Sequence, residues 1–282
     1  ARLRSMVGDV RDEPPSPAVV AAFRSLFPDG EATGSALAAA AALRSRLTVI
    51  IGGPGTGKTT TVVRVLALLL AEDPTRRIAV AAPTGKAAAR LQESIQSQRD
   101  GLGVDTSIRD ALETRVQTVH RLLGYRPHDQ SFAHDRSRPL PHDVVVVDEA
   151  SMLDLGLARA LVDALGPRAR LIVLGDRDQL ASVDAGAVLE DLVEARATTG
   201  DARSAGFAAF ARDLFVAPVQ VDPGADAFAD ATVELSRNWR FESQPAIASL
   251  AQALRAGDAA AALECLHAAA DLSRIEPPAR VD

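Results

Sequence analysis

Short apolar runs alternate with longer amphipathic stretches along most of the chain. The runs lie at 47–51, 77–82, 142–151, 170–176 and 232–241, and the middle one contains four consecutive valines. Continuous apolar runs of this length are typical of strands that are buried on both faces of a sheet. We therefore predict five core strands, with the last run covering both a strand and the segment that leaves it.

Helical patterns fill the intervals between these runs. They are rich in alanine and other good helix formers. We predict helices over 35–46, 58–72, 86–98, 157–165 and from 245 to Gly257. Because strands and helices alternate, the pattern indicates an α/β fold with a mostly parallel sheet and helices on both faces.

Three segments differ in composition from this alternating part. Residues 1–30 contain EPPSP and end in a Pro-Asp-Gly turn, so we expect the tail of a preceding domain and a linker. Residues 31–262 are expected to form the main domain, with 195–230, rich in Ala, Asp and Gly, as a candidate small insertion. Residues 263–282 are expected to be a linker.

Composition excludes several classes of protein. No apolar run reaches the roughly 18 residues that a membrane helix needs, so we expect no membrane partner. The single cysteine, Cys265, excludes an internal disulfide framework and predicts a reducing, cytoplasmic location. A net charge of −6 argues against coating nucleic acid by bulk electrostatics, although a narrow binding track remains compatible with it.

The segment from Gly52 to Thr59 matches the pattern G-x-x-x-x-G-K-[ST] between a predicted strand and a predicted helix. Its glycines let backbone N–H groups turn toward phosphates, and the helix N-terminus adds partial positive charge. We expect Lys58 to neutralise the β- and γ-phosphates of a nucleoside triphosphate and Thr59 to ligate Mg²⁺. The structural alternative is a turn that merely joins strand to helix. The expected ATP-binding residues are Gly52, Gly53, Pro54, Gly55, Thr56, Gly57, Lys58, Thr59 and Thr60.

An acidic pair ends the valine run, at the edge of the sheet where the phosphate loop also lies. We expect Asp148 to hold Mg²⁺ and Glu149 to polarise the attacking water as general base. The alternative is a solvated acidic pair at a strand end. Together, the pair and the loop predict a P-loop NTPase.

Two more polar turns follow predicted strands at this edge. Asp176, Asp178 and Gln179 come after the fourth strand, where a neutral amide can sense the γ-phosphate; a plain polar turn is the alternative. In APTGKAAARL, a helix N-terminus with Thr84 and Lys86 could grip one phosphate of a nucleic acid. Ordinary helix capping by Thr84 is the alternative there. The chain's only two lysines, Lys58 and Lys86, both end a Thr-Gly-Lys tripeptide.

Six segments together resemble the RecD family, the alpha subunit of exodeoxyribonuclease V and a superfamily-1 DNA helicase. In chain order they are GGPGTGKTTT, APTGKAAARL, TVHRLLG, VVVVDEASMLDL, LGDRDQLASVDAGAVL and LSRNWRF, and the resemblance runs from about residue 33 to 258. It implies a RecA-like motor domain that binds ATP and Mg²⁺ and moves 5′ to 3′ on single-stranded DNA. It also implies RecB-like and RecC-like partner subunits, in double-strand-break processing and recombination repair.

The resemblance assigns roles to individual residues. Gln179 resembles the family's γ-phosphate sensor, and Arg240 resembles the arginine that reaches the γ-phosphate from the far side of the cleft. With Glu149 and Lys58 they form the implied catalytic set. The residues implied to contact single-stranded DNA are Pro83, Thr84, Lys86, Thr118 and His120. Without the family context, His120 would be interpreted as a packed histidine on an apolar-flanked segment.

The resemblance has two departures. Gly34 and Ser35 stand where the family usually has an aromatic residue and a glutamine that recognises adenine, so we expect adenine recognition to use other groups, such as backbone. The family's second motor domain would follow residue 282, and another domain would precede residue 1. We therefore expect the 282-residue chain alone to lack helicase activity.

Two other functions fit parts of the pattern. A nucleotide-dependent binding or regulatory subunit would hold nucleotide without turnover, and the intact acidic pair, Gln179 and Arg240 argue against it. A small-molecule kinase would need a substrate pocket and a lid, and the sequence indicates neither. Residues 195–230 are compatible with contact to DNA or to a partner subunit.

Overall fold

The computed structural model describes residues 2–112, 115–176, 179, 202–237, 239, 245–255 and 257–268. The chain divides into two units, residues 1–236 and 237–282. The first unit contains all the strands of the described residues and most of the helices. Every predicted site residue that the structure describes lies in this unit.

Six strands form the central sheet of the first unit. They are β1 (Leu47–Gly52), β2 (Ile78–Ala82), β3 (Val116–Thr118), β6 (Val144–Val147), β7 (Arg170–Gly175) and β8 (Thr232–Leu235). Two short strands, β4 (Tyr125–Arg126) and β5 (Ser131–Phe132), form a separate antiparallel hairpin. The main sheet has the spatial order β3-β2-β6-β7-β1-β8, and every neighbouring pair is parallel. Because the strands are parallel, all six carboxyl ends meet at one edge of the sheet.

Helices cover both faces of this sheet. Those described in the first unit are α1 (Arg2–Gly8), α2 (Pro17–Leu26), α3 (Gly34–Arg44), α4 (Lys58–Glu72), α5 (Gly85–Arg99), α6 (Thr106–Ala111), α7 (Val119–Leu123), α8 (Leu155–Ala164), α9 (Ala205–Phe210) and α10 (Ala227–Ala231). A 3-10 turn covers Ala150–Met152. Many of these helices begin at a residue whose side chain accepts a backbone N–H of the first turn, the usual way of satisfying a helix start. These residues are Ser16, Thr33, Thr84, Thr118, Asp154, Ser204 and Asp226.

The valine run shows how the sheet is buried. Val144 and Val146 belong to the apolar cluster that contains residues of α2, α3, α4 and α5. Val145 and Val147 belong to a second cluster, with residues of α1, α7 and α8. Since successive side chains of a strand point to opposite faces, a strand covered on both faces needs an unbroken apolar run. The predicted α/β fold, with a mostly parallel sheet and helices on both faces, is confirmed.

The described part of the segment before β8 packs against α3. Phe207 and Phe210 of α9 are buried in the same cluster as the alanines of α3. Nη1 of Arg44 lies 2.8 Å from Oδ2 of Asp230 in a buried ion pair, and the hydroxyl of Ser204 donates to the same carboxylate at 2.6 Å. Because removing one partner of a buried ion pair is costly, this pair fixes the segment to the end of α3.

Most predicted elements are present, with their ends shifted by a few residues. The last apolar run forms a strand only over Thr232–Leu235, and the valine run only over Val144–Val147. In the first unit, the elements that were not predicted are helices α1, α2, α6, α7, α9 and α10, strand β3 and the β4–β5 hairpin. Each is short, and β3 and the hairpin lie among turns and charged residues in 99–141, where no periodicity is visible.

The second unit contains two helices in its described part, α11 (Pro245–Arg255) and α12 (Ala259–Ala268). Gly257 lies between them with a φ of +69°, a conformation that favours glycine at the end of a helix. Oδ1 of Asp258 accepts the N–H of Ala261 at 2.9 Å and so caps α12. The predicted helix from 245 is confirmed. Across the described residues of both units, no helix is long and apolar enough to cross a membrane.

Candidate functional site

The loop between β1 and α4 leads directly into a helix N-terminus. Gly55 and Gly57 have φ values of +81° and +85°, in the left-handed region where a side chain would strain the backbone. Gly57 is the N-cap of α4 and has no side chain with which to cap it. The first N–H groups of α4, those of Lys58, Thr59 and Thr60, are therefore placed as they are in anion-binding helix termini.

A threonine and a lysine hold the loop in shape. Thr56 is buried, and its Oγ1 donates to the carbonyl oxygen of Gly53 at 2.8 Å. A Cβ on Gly52 would collide with that hydroxyl, so the base of the turn requires glycine. Nζ of Lys58 donates to the carbonyl oxygens of Gly52 and Gly53, the latter at 3.3 Å. The ammonium thus lies against the loop, where a phosphate oxygen can replace a carbonyl as its partner.

The acidic pair follows β6, which is separated from β1 by β7. Oδ1 of Asp148 accepts the backbone N–H of Glu149 at 2.9 Å. Burial raises the pKa of the Asp148 carboxyl above its ordinary value, and the charge of Glu149 adds to the rise. The hydrogen bond from the Glu149 N–H and the charge of Lys58 oppose it. The effect of Lys58 means that the phosphate loop and the acidic pair interact electrostatically.

Glu149 has an uncommon backbone conformation. Its φ and ψ are +54° and +41°, in the left-handed region, at the start of the 3-10 turn. Its Oε2 is buried without a hydrogen-bond partner among the described residues. Strain and an unsatisfied buried oxygen both cost stability, and they cluster where a side chain is retained for chemistry.

These groups fit a magnesium–nucleotide complex. Mg²⁺ prefers oxygen ligands, and Asp148 and Thr59 carry a carboxylate and a hydroxyl oxygen of this kind. A cation beside Asp148 would favour the charged form of a carboxyl whose burial disfavours it. The glycine loop supplies backbone donors for phosphate oxygens.

The predicted γ-phosphate sensors are only partly described. Asp176 is buried immediately after β7, and Gln179 is half-buried in the bend that follows. Because β7 lies between β6 and β1, these residues leave the sheet between the acidic pair and the phosphate loop. Asp178 and Arg240 lie outside the described residues. The sensor and arginine-finger roles therefore stay predictions.

The five residues implied to contact DNA lie together, farther along the same edge of the sheet. Strands β2 and β3 are paired neighbours, so the segments that follow them are adjacent. Pro83, Thr84 and Lys86 follow β2, and the last two are exposed. Thr118 ends β3, and His120 is exposed in α7.

Both threonines of this group cap helices. Oγ1 of Thr84 accepts the N–H of Ala87 at 3.2 Å, and Oγ1 of Thr118 accepts the N–H of Arg121 at 3.2 Å. The structural alternative for Thr84 is thus confirmed, since its hydroxyl stabilises the start of α5. Contact of either threonine with DNA stays a prediction.

His120 belongs to an aromatic cluster that sequence reasoning missed. Its ring centroid lies 5.3 Å from that of Tyr125, edge to face, and 6.1 Å from that of Phe132. The Tyr125 side chain is 40% exposed, so the cluster reaches the surface. His120 is exposed too, so it packs against this surface cluster and is not a buried histidine of the core. The available signal was the chain's single tyrosine, placed directly after TVHRLLG.

A hydroxyl pair beside the phosphate loop was also missed. Oγ of Ser35 lies 2.8 Å from Oγ1 of Thr61, one turn into α4. The preceding Gly34 lies against β8, where a Cβ would come within 2.9 Å of the carbonyl oxygen of Glu234. The departure from the family pattern at these two residues therefore has a local structural consequence. A close backbone contact and a hydroxyl pair occupy the two positions where the resemblance to the RecD family implies an aromatic side chain and an amide.

Comparison with known proteins matches the segment that carries most of these groups to a known family. The model of a family described as AAA domain matches residues 35–185. The chain is 46% identical over 243 residues to the RecBCD enzyme subunit RecD of Mycolicibacterium smegmatis, covering 82% of this chain and 37% of that protein. It is 42% identical over 153 residues to the ATP-dependent RecD2 DNA helicase of Deinococcus radiodurans, covering 54% of this chain and 18% of that protein.

The chain spans less than two fifths of the length of these curated relatives. Among solved structures, a Pif1 helicase from Bacteroides in complex with ADP-AlF3 and ssDNA overlaps it with a TM-score of 0.41 at 18% identity. That overlap covers 79% of this chain and 45% of the other. A likeness this low does not bear on function.

Proposed function

We propose that this chain, which belongs to the family described as AAA domain and is similar to RecD proteins over most of its length, is the ATP-binding motor domain of a DNA helicase. One observation carries the proposal. The phosphate loop, the acidic pair and the exposed group after β2 and β3 all follow strands of one parallel sheet and share its carboxyl edge. A motor needs this proximity, since nucleotide turnover must change the affinity of the domain for the nucleic acid.

On the nucleotide side, each role follows from a side chain's surroundings. Lys58 exchanges its carbonyl partners for the β- and γ-phosphates, and the N–H groups of the first turn of α4 donate to the same phosphates. Thr59 and Asp148 would hold Mg²⁺, which would supply positive charge beside the phosphates. Glu149 accepts the proton of the attacking water, because its buried Oε2 accepts no hydrogen bond from the described residues and can bind that water.

On the nucleic-acid side, the proposal involves the exposed side chains after β2 and β3. Lys86 offers one positive charge to a backbone phosphate, and α5 presents its N-terminus beside it. His120 and Tyr125 present ring faces and edges at the surface, on which bases of a single strand can stack. Pro83, Thr84 and Thr118 shape the turns that hold these groups.

The wider assignment follows the RecD relatives. It includes 5′ to 3′ movement on single-stranded DNA, association with RecB-like and RecC-like subunits, and a cytoplasmic role in recombination repair. Gln179 senses the γ-phosphate, and Arg240 reaches it from the far side of the cleft. The proposed motor domain covers 31–262, with a second motor domain supplied by the longer protein, whose closure around ATP would drive strand separation.

The proposal is tested by DNA-stimulated ATP hydrolysis in the longer protein. We expect Glu149→Gln to lower turnover by at least about a hundredfold, since a general base contributes that much, while ATP binding persists. The matched control is Glu93→Gln on the exposed side of α5, which should hydrolyse ATP at the parental rate. Hydrolysis by Glu149→Gln at the parental rate would contradict the general-base role. A parental protein that binds ATP and never hydrolyses it would instead support a regulatory subunit.

A further inference from the structure

We propose that Ser35 is a positioning residue for the phosphate loop and that it acts through Thr61 on the carbonyl group of Gly57. The inference rests on the proposed nucleotide function of that loop. Ser35 belongs to α3, and 26 residues separate it from Thr61. The link therefore joins the loop to a helix that does not itself carry phosphate-binding residues.

The direction of the hydrogen bonds is fixed by the number of donors. Oγ1 of Thr61 donates to the carbonyl oxygen of Gly57 at 3.0 Å. A hydroxyl has a single hydrogen, so Thr61 must accept from Ser35 across their 2.8 Å contact. Thr61 is fully buried, and water cannot readily take the place of Ser35 as donor. The Ser35 hydroxyl thus donates to the Thr61 hydroxyl, which donates to the carbonyl oxygen of Gly57 in the phosphate loop.

The packing of α3 brings these two short side chains within reach of each other. Residues 36–42 of α3 are six alanines and one leucine, all buried, and small side chains let α3 and α4 lie close together. Oγ1 of Thr33 accepts the N–H of Ala36 at 3.4 Å and fixes the start of α3. Gly34 lies against the end of β8. The position of Ser35 is therefore fixed by the capped start of α3 before it and by the buried alanine segment after it.

Holding the carbonyl of Gly57 also orients a donor for phosphate. The oxygen of Gly57 accepts both the N–H and the hydroxyl of Thr61, at 2.9 and 3.0 Å. This carbonyl and the N–H of Lys58 belong to one planar trans peptide, in which the two groups point in opposite directions. A carbonyl fixed toward the interior of α4 therefore fixes the Lys58 N–H toward the mouth of the loop. Donors that are already oriented bind a ligand at a smaller cost in conformational freedom.

The test measures how tightly the 282-residue chain binds the fluorescent nucleotide N-methylanthraniloyl-ADP in the presence of Mg²⁺. All variants are compared at a temperature where each of them is folded. Ser35→Ala and Thr61→Val should each weaken binding by about two- to tenfold, the worth of one hydrogen bond. The double variant should bind no more weakly than Thr61→Val, because both changes break the same link. Ser35→Thr, which keeps the hydroxyl, should bind like the parent.

Ser94→Ala is the matched control, because it makes the same change at a half-buried position in α5, away from the loop. Parental affinity in Ser35→Ala, or additive losses in the double variant, would overturn the proposal. If the parent does not bind the probe, or Lys58→Ala binds equally well, the proposed function fails instead. In that case, hydrogen exchange of the Thr61 amide tests the hydrogen-bond connection from Ser35 through Thr61 to Gly57. Faster exchange in Ser35→Ala would support the connection, and unchanged exchange would overturn it.

Discussion

The tripeptide Thr-Gly-Lys occurs at two strand–turn–helix junctions of this sheet, with different structures. At residues 56–58 the threonine is buried against a loop carbonyl, the glycine is left-handed and the lysine is folded onto the loop. At residues 84–86 the threonine caps its helix, the glycine has open space around it and the lysine is exposed. At the first junction the side chains turn onto the loop itself, and at the second the lysine presents one charge at the surface.

The difference comes from what precedes each tripeptide. Gly52, Gly53 and Gly55 let the first loop curl before the helix begins, so that glycine rather than threonine becomes the N-cap. The second turn has no such glycines, and Thr84 reaches the N-cap position in extended conformation. The Thr84 side chain then accepts the N–H of Ala87, which would otherwise be free to donate to a phosphate. The same three residues therefore belong to the proposed nucleotide loop in one context and to a capped helix in the other.

Replacing each lysine should separate the two junctions most strongly. Lys58→Ala removes the charge that lies against the loop, and we expect nucleotide affinity to fall by about ten- to a hundredfold, the worth of charge-assisted hydrogen bonds. Lys86→Ala should leave nucleotide affinity unchanged and weaken binding of a single-stranded oligonucleotide. Fluorescence titration with both ligands measures the contrast. Equal loss of nucleotide affinity in the two variants would show that the junctions are not distinct.

Replacing each glycine should affect stability in opposite directions. Gly57→Ala forces a Cβ into a left-handed conformation and should lower the free energy of unfolding by about 1–2 kcal/mol. Gly85→Ala meets no atom within 4 Å and lies in the first turn of α5, so it should be neutral or stabilising by up to about 1 kcal/mol. Urea unfolding of both variants checks this. Destabilisation by Gly85→Ala would mean that its turn is tighter than the structure shows.

Removing the helix cap should have a moderate effect at the second junction. Thr84→Ala leaves the N–H of Ala87 without its acceptor and should lower the free energy of unfolding by about 1 kcal/mol. Thr84→Ser keeps the acceptor and serves as the control, with stability near that of the parent. If Thr84→Ala weakened oligonucleotide binding while Thr84→Ser did not, the cap would also support the nucleic-acid surface. An Ala variant as stable as the parent would contradict the capping role.

Sequence reasoning found the elements with a strong contiguous pattern, and it missed short elements without periodicity and contacts between residues far apart in the chain. The strands, the phosphate loop and the acidic pair are contiguous patterns, and a contiguous pattern already contains the geometry that it predicts. Ser35 and Thr61 belong to different helices, and only the packing of α3 on α4 brings their hydroxyls together. His120 and Phe132 likewise meet because a hairpin turns between them.

The smallest expected effect concerns pH and compares the two ends of β6. At the nucleotide end, burial raises the pKa of Asp148. At the opposite end, hydrogen bonds from Arg77 lower the pKa of Asp143. A folded chain that holds the Asp148 proton more tightly loses stability as pH rises from the ordinary Asp pKa through the raised value. For Asp143 the sign is reversed: stability is present above the ordinary Asp pKa and is lost as pH falls through the lowered value.

Urea unfolding over a pH series can therefore distinguish a carboxylate that destabilises the fold, as expected of Asp148, from one that stabilises it, as expected of Asp143. Asp148→Asn should be more stable than the parent at neutral pH, because the amide avoids burying a charge, and the difference should vanish below the ordinary Asp pKa. Asp143→Asn should be less stable than the parent at neutral pH, and its difference should shrink in acid. Were Asp148→Asn to destabilise the chain at neutral pH, the carboxylate would be satisfied by the protein itself. The acidic pair would then contribute to folding and would not need a bound cation to offset its burial.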